Sequence, residues 1–106
     1  MAWIYLFIAG LFEVAWAVGL KYTEGFTRLW PSAGTVAAMI VSFLFLAESL
    51  KSIPLGTGYA VWTGIGVAGT AVMGILLFDE SRDPFRIMCI LVIVGAIAGL
   101  RLSSPT

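Results

Sequence analysis

The long uncharged segments of the chain limit its fold more than any other feature. No Asp, Glu, Lys or Arg occurs from Leu29 to Ala47, and none occurs from Ser52 to Phe78. A helix needs about 20 predominantly apolar residues to cross the roughly 30 Å hydrocarbon layer of a membrane. Both segments are therefore long enough to span a bilayer.

The rest of the chain shares this apolar character. Of its 106 residues, 60% are hydrophobic and 11% are charged, whereas a soluble domain is about 45–50% apolar and about 25% charged. So few charges cannot cover the apolar side chains in water, which excludes a conventional soluble enzyme and a disordered chain. The net charge of zero gives no basic surface for nucleic acid. With no His and one Cys, no His-containing metal site, internal disulfide or cofactor is expected.

Charged residues divide the chain into four apolar spans, at about residues 2–20, 29–47, 57–78 and 84–102. The first is interrupted only by Glu13. The fourth has a short uncharged core, Ile87–Leu100, but Arg86 and Arg101 at its ends extend it because their long side chains can lie along lipid. Continuous rather than alternating apolar runs argue against strands. We expect an all-α membrane protein with four transmembrane helices in a single domain over residues 1–106.

The basic residues do not fix the orientation of the chain in the membrane. Four spans place Lys51 and Arg101 on one side. The other side carries Lys21, Arg28, Arg82 and Arg86. Because orientation follows the bias in Lys and Arg, this small difference has two interpretations: a weak preference for one orientation, or insertion in both. The acids that flank the spans, Glu48, Asp79, Glu80 and Asp83, are expected to be solvated.

Glu13, about midway along the first span, is the residue that most needs an explanation. A charged side chain at the bilayer centre costs about 2.5–3.5 kcal/mol on insertion scales, and no Lys, Arg or His lies in the middle of a span to pair with it. The acid is tolerable either protonated or paired with a cation from outside. A group that exchanges a proton for a cation is the minimal part of a proton-coupled exporter. The alternative is a protonated acid that only bonds a neighbouring helix.

Aromatic and polar residues in three spans are candidates for a cavity around Glu13. Trp16 is one helical turn away on the same face, so its ring either stacks on a cation or packs as an interface aromatic. Tyr59 and Trp62 repeat the three-residue spacing in the third span, with the same two interpretations. Ser42, in the middle of the second span, either offers its hydroxyl to the cavity or bonds its own helix backbone.

Glycines in the third and fourth spans suggest bending or close contact between helices. Gly64 and Gly66 either permit a bend or allow close packing, and Gly95 and Gly99 form a GxxxG pattern common at transmembrane helix contacts. Secondary transporters often surround a central site with two inverted halves. Four helices without an internal repeat cannot supply both halves, but two copies in opposite orientation can. With two Glu13 carboxylates in one cavity, charge counting allows two protons to exchange for one monovalent cation.

Three segments resemble the small multidrug resistance transporters, and the resemblance extends over essentially the whole chain. They are Gly10–Glu13 in the first span, Glu24–Ser32 in the first loop and Pro54–Gly66 at the start of the third span. The resemblance implies an antiparallel, dual-topology homodimer of four-helix protomers, a multi-pass protein of the bacterial cytoplasmic membrane. It implies proton-coupled export of a cation, not an enzyme activity, with Glu13 shared by proton and substrate. The dimer contact would involve Gly95 and Gly99, and the hinge Gly64 and Gly66.

Trp16 decides which branch of the family the chain resembles more. The multidrug branch has a small residue at this position, whereas the guanidinium-exporting branch has Trp. Guanidinium is small, planar and always charged, and its N–H groups match a carboxylate in pairs. The expected partners are guanidinium, protons and the lipid bilayer. The resemblance also assigns four further residues to the cavity, Gly10, Ser42, Tyr59 and Trp62.

Two alternatives stay open from the sequence. The first loop resembles both branches equally, so a quaternary-ammonium exporter of the same family is the nearest rival. Some family members work as pairs of unlike chains, which allows a non-transporting subunit whose Glu13 only fixes helix packing. Arg101 stands where the guanidinium branch often has Lys, and this change keeps the charge.

Overall fold

The structure is a computed structural model that describes residues 1–103. These residues form four helices and no strands: α1 (Ala2–Tyr22), α2 (Leu29–Ser49), α3 (Leu55–Phe78) and α4 (Pro84–Ser103). All four are long and apolar enough to cross a membrane. The predicted all-α membrane fold with four spans is confirmed, and each helix ends within two residues of the predicted bounds.

The helices lie side by side in a thin layer. α1 packs against α2 and α3, while the backbone of α4 packs against α3 alone among the described helices. The order across the layer is therefore α2, α1, α3, α4. The protein measures 43 × 34 × 17 Å, and since one helix with its side chains is about 10–12 Å across, the smallest dimension holds little more than one helix layer.

α1 and α3 approach closely because glycines of each helix receive side chains of the other. The contacts are Glu13 on Gly66, Val14 on Gly69 and Ile65 on Gly10. Small residues let transmembrane helices pack at short range, and here they keep α1 in the centre of the layer. Gly66 therefore serves close packing, and Gly64 packs against Ile97 of α4. α3 is helical without interruption, and a hinge at Gly64 and Gly66 stays a prediction.

One hydroxyl group joins three helices. Ser42 of α2 donates a hydrogen bond to the carbonyl of Ala9 on α1 (2.7 Å), and Nε1 of Trp62 on α3 donates to the Ser42 hydroxyl (3.0 Å). Ser42 is fully buried. Because an unsatisfied polar group in hydrocarbon is costly, this pair of bonds fixes α1, α2 and α3 relative to one another. Ser42 bonds across helices rather than to its own helix, which was the other interpretation of the sequence.

The turn between α3 and α4 folds back on α3. Asp79 ends α3 in the left-handed conformation (φ 54°), and its backbone N–H donates to the carbonyl of Gly74. The next backbone N–H, that of Glu80, donates to the same carbonyl (3.2 Å). This pattern is a common way to end a helix. It directs the chain back along the last turn of α3 before Pro84 begins α4.

α4 is the least buried of the four helices. Among its described residues only Ile90 is buried, and a Cβ added at Gly95 or Gly99 would meet no atom within 4 Å. α4 therefore exposes apolar side chains over most of its surface. Open space therefore lies beside both GxxxG glycines in the described protomer, and their role in a dimer contact stays a prediction.

Ser42→Ala should destabilise the packed helices more than the same change at an equally buried serine. It removes the donor to Ala9 and leaves Nε1 of Trp62 unpaired, which should cost about 1–2 kcal/mol. The stability is measured by SDS titration of detergent-solubilised protein, followed by circular dichroism. Ser49→Ala is the control, because Ser49 is fully buried but its hydroxyl donates within its own helix, to Leu46 (2.7 Å). Equal losses at the two serines would contradict the bridging role.

Candidate functional site

Glu13 lies in the middle of α1 with its carboxyl group against the backbone of Gly66 on α3. Its Oε1 is buried and has no hydrogen-bond partner. No salt bridge of the described residues includes Glu13. Leaving a buried charged oxygen unpaired is costly. The position therefore favours a proton on the carboxyl group or a cation next to it.

A groove of about 470 Å³ extends from Glu13 between α1 and α3. Apolar side chains and glycines form much of its wall, with Ala17 on α1 and Gly74 on α3 among them. At the far end, where α1 and α3 finish, the lining includes Lys21, Glu80 and Arg86. The groove thus connects the buried carboxyl group with charged residues at one end of the helices.

Four aromatic side chains form a row across α1, α2 and α3. The ring centroids of Trp16 and Phe43 are 6.4 Å apart, those of Phe43 and Trp62 5.7 Å, and those of Trp62 and Tyr59 5.5 Å. On α3, Tyr59 and Trp62 come before Gly66, whereas the α3 residues of the groove begin at Gly66 and follow it. The four rings of the row are not among the residues that line the groove, although Trp16 is one helical turn from Glu13 on α1.

The structure places the other predicted cavity residues in different environments. Nε1 of Trp16 is buried without a hydrogen-bond partner. Gly10, expected to leave room beside the carboxylate, is covered by Ile65 of α3. Tyr59 is 54% exposed within the protomer, while Ser42 is enclosed and occupied by its two hydrogen bonds. Ser42 thus supports the site through Trp62.

Sequence reasoning missed three residues of this region. Phe43 links Trp16 to Trp62, but one phenylalanine in an apolar span carries no distinguishing signal. Thr70 lines the groove with a buried, unpartnered Oγ1. Glu80 is exposed, as expected of a solvated acid, but its carboxylate also accepts a hydrogen bond from Nη2 of Arg86 (2.8 Å) and lines the groove. The left-handed conformation of Asp79 places Glu80 over the last turn of α3. No sequence pattern predicts this conformation.

The described residues bring together no group of three or more His, Cys, Asp or Glu side chains that could hold a metal ion. The chemistry available at the site is that of carboxyl groups, aromatic faces and a few hydroxyls. A carboxyl group one helical turn from the Trp16 ring suits a small organic cation, because ring faces attract cations and the carboxylate accepts their N–H groups.

Comparison with known proteins relates the chain to bacterial exporters. A guanidinium exporter of Escherichia coli (strain K12) is 60% identical over 104 residues, which cover 98% of this chain and 99% of that protein. Guanidinium exporters of Salmonella typhimurium and Proteus vulgaris are 58% and 56% identical over 104 residues, 98% of this chain and 99% and 100% of theirs. The family described as Small Multidrug Resistance protein matches residues 1–93. The chain belongs to the small multidrug resistance family.

Proposed function

We propose that this protein exports guanidinium in exchange for protons across the bacterial cytoplasmic membrane, and that Glu13 binds the proton and the substrate in turn. The protein is a multi-pass membrane transporter rather than an enzyme. Relatives 56–60% identical over nearly their whole length are named guanidinium exporters. The observation that carries the proposal is the buried Oε1 of Glu13, which has no partner in the protomer.

The substrate fits the chemistry around Glu13. Guanidinium is planar and permanently charged, so its N–H groups can satisfy both oxygens of one carboxylate. Trp16, one turn from Glu13, offers a flat face for a planar cation. Trp62, held by Ser42 (3.0 Å), and Tyr59 would continue this wall, so the aromatic row confines the ion while the carboxylate binds it.

Exchange follows from the cost of leaving Glu13 ionised and alone. In a medium of low dielectric constant, the carboxyl group is stable with a proton or with a cation, and each excludes the other. A change of conformation is therefore permitted only when one of the two is bound. Since uptake of guanidinium releases a proton, a proton gradient can drive export of the cation.

We infer that the working unit is an antiparallel homodimer with dual topology. One copy forms only a thin helix layer (17 Å), and its Glu13 groove is not fully enclosed. A second, inverted copy would enclose the groove and place two Glu13 residues in one cavity, which allows two protons per guanidinium. The exposed α4, with open space beside Gly95 and Gly99, is the surface we assign to the contact, and Gly64 and Gly66 are where we expect α3 to bend.

Glu13→Gln should abolish transport, because Gln neither binds a cation by charge nor releases a proton. Guanidinium-driven charge movement is recorded on purified protein in proteoliposomes, with and without a pH gradient. Glu48→Gln is the matched control: Glu48 is exposed and paired with Lys51 (3.1 Å) outside the groove, and its loss should leave the current unchanged. A Glu13→Gln protein that still carries current would refute the mechanism.

Trp16→Ala should change which cations are carried. The smaller side chain removes the flat face and widens the cavity, so the apparent affinity for guanidinium should fall on the order of tenfold, while a bulky aromatic quaternary ammonium should be transported better. Trp30→Ala is the control, since Trp30 is 82% exposed at the start of α2. A wild-type protein that strongly prefers the bulky cation would favour the quaternary-ammonium exporter instead.

A tag on the C-terminus should be detected on both sides of the membrane. The Lys and Arg bias between the two sides is small, and an antiparallel homodimer needs both orientations. Labelling of intact and opened cells with an impermeant reagent measures the two populations. A tag found strictly on one side would indicate an obligate partner chain. If this chain, expressed alone, makes cells resistant to guanidinium, it is not a non-transporting subunit.

A further inference from the structure

A second carboxyl group lies in the groove, at the end away from Glu13. The carboxyl group of Glu80 rests on Gly74 of α3, much as that of Glu13 rests on Gly66. The two glycines are eight residues apart along α3, a rise of about 12 Å. Both carboxyl groups line the same groove. Two glycines of α3 thus each accept an acid from another part of the chain, and both acids line one groove.

The fold holds Glu80 in this place. The left-handed Asp79 turns the chain back, and the N–H of Glu80 is bonded to the carbonyl of Gly74 (3.2 Å). A Cβ at position 74 would overlap the Glu80 carboxyl group. Glycine at this position is therefore what permits the acid to lie over α3 instead of extending into solvent.

The guanidinium group of Arg86 forms an ion pair with the Glu80 carboxylate. Its Nη2 donates to Oε1 of Glu80 (2.8 Å), and the two side chains are 37% and 45% exposed. Nε of Arg86 is buried without a hydrogen-bond partner, so the guanidinium is not fully satisfied. Partly exposed ion pairs are weak, and a free guanidinium ion offers the same donors to the same oxygen.

Thr70 lies between the two carboxyl groups. It is four residues from Gly66 and four from Gly74, and its side chain lines the groove. Its Oγ1 is buried and has no partner. A hydroxyl oxygen in this position can accept an N–H group from a cation between the two acids.

We propose that Glu80 receives guanidinium at the mouth of the groove, and that Arg86 is an internal guanidinium that occupies Glu80 when no substrate is there. The ion then passes Thr70 on its way to or from Glu13. This inference rests on the proposed guanidinium export and adds a substrate-positioning residue to it. Glu80 captures the ion and Glu13 couples it to the proton.

Substitutions of Glu80 and Arg86 should change the KM for guanidinium in opposite directions, and this difference tests the inference. In proteoliposomes, Glu80→Gln should raise the KM for guanidinium about two- to fivefold, the range for a partly exposed ion pair, with little change in the maximal rate. Arg86→Gln should lower KM by a similar factor, because it removes the competitor. In the double variant, the change at Arg86 should have no further effect. Gly74→Ala, which keeps both charges but displaces the carboxyl group, should act like Glu80→Gln.

Glu24 and Arg28 are the control pair for the effect of neutralising a charge at this end of the helices. This pair (3.7 Å) lies in the loop after α1, at the same end of the helices, and does not line the groove. Glu24→Gln and Arg28→Gln should each leave KM unchanged. If they shift KM as much as the changes at Glu80 and Arg86, the effect is one of general surface charge and the inference fails.

Two further outcomes separate this inference from the proposed function. If the Glu80–Arg86 pair only holds the turn, both single variants should impair transport in the same direction, and the inference is then wrong while Glu13-dependent transport persists. If the wild-type protein carries no guanidinium, or the Glu13→Gln protein still does, the proposed function itself fails. Opposite shifts in KM that vanish in the double variant support the assignment.

Discussion

The contact between the Glu13 carboxyl group and the backbone of Gly66 is the interaction on which the rest of this protein depends. It buries one carboxyl oxygen without giving it a partner, in a helix that otherwise suits hydrocarbon. Because burying an unpaired charge costs free energy, the carboxyl group is more stable with a proton or beside a cation. The groove between α1 and α3 begins at this carboxyl group.

Glycine in α3 has a function beyond helix packing. Gly66 and Gly74 accept carboxyl groups, Gly69 accepts Val14, and Gly64 accepts Ile97. At Gly66 and Gly74 the missing side chains leave room for acids that belong to α1 and to the following turn. In a membrane, where apolar burial drives little association between helices, such close contacts also hold the layer together.

Much of the fold followed from the sequence, because uncharged runs of about 20 residues have few other uses, and the helix bounds were predicted within two residues. Glu13 could be identified from the sequence because an acidic side chain in hydrocarbon is costly. Contacts between helices were harder to predict. The bridge through Ser42 needed the register of three helices, and the position of Glu80 needed the left-handed Asp79. Neither feature is encoded in local composition.

The thin helix layer has a consequence for which substitutions the chain tolerates. With almost no enclosed interior, most apolar positions face either lipid tails or another protein surface, and α4 has only Ile90 buried among its described residues. Where such a position faces lipid, exchanging one bulky aliphatic residue for another leaves no cavity, since acyl chains adapt to the new shape. A polar replacement meets hydrocarbon almost anywhere along the spans. In a water-soluble protein, the outer surface accepts most substitutions. Here the lipid-facing surface accepts apolar side chains of different shape but not polar ones.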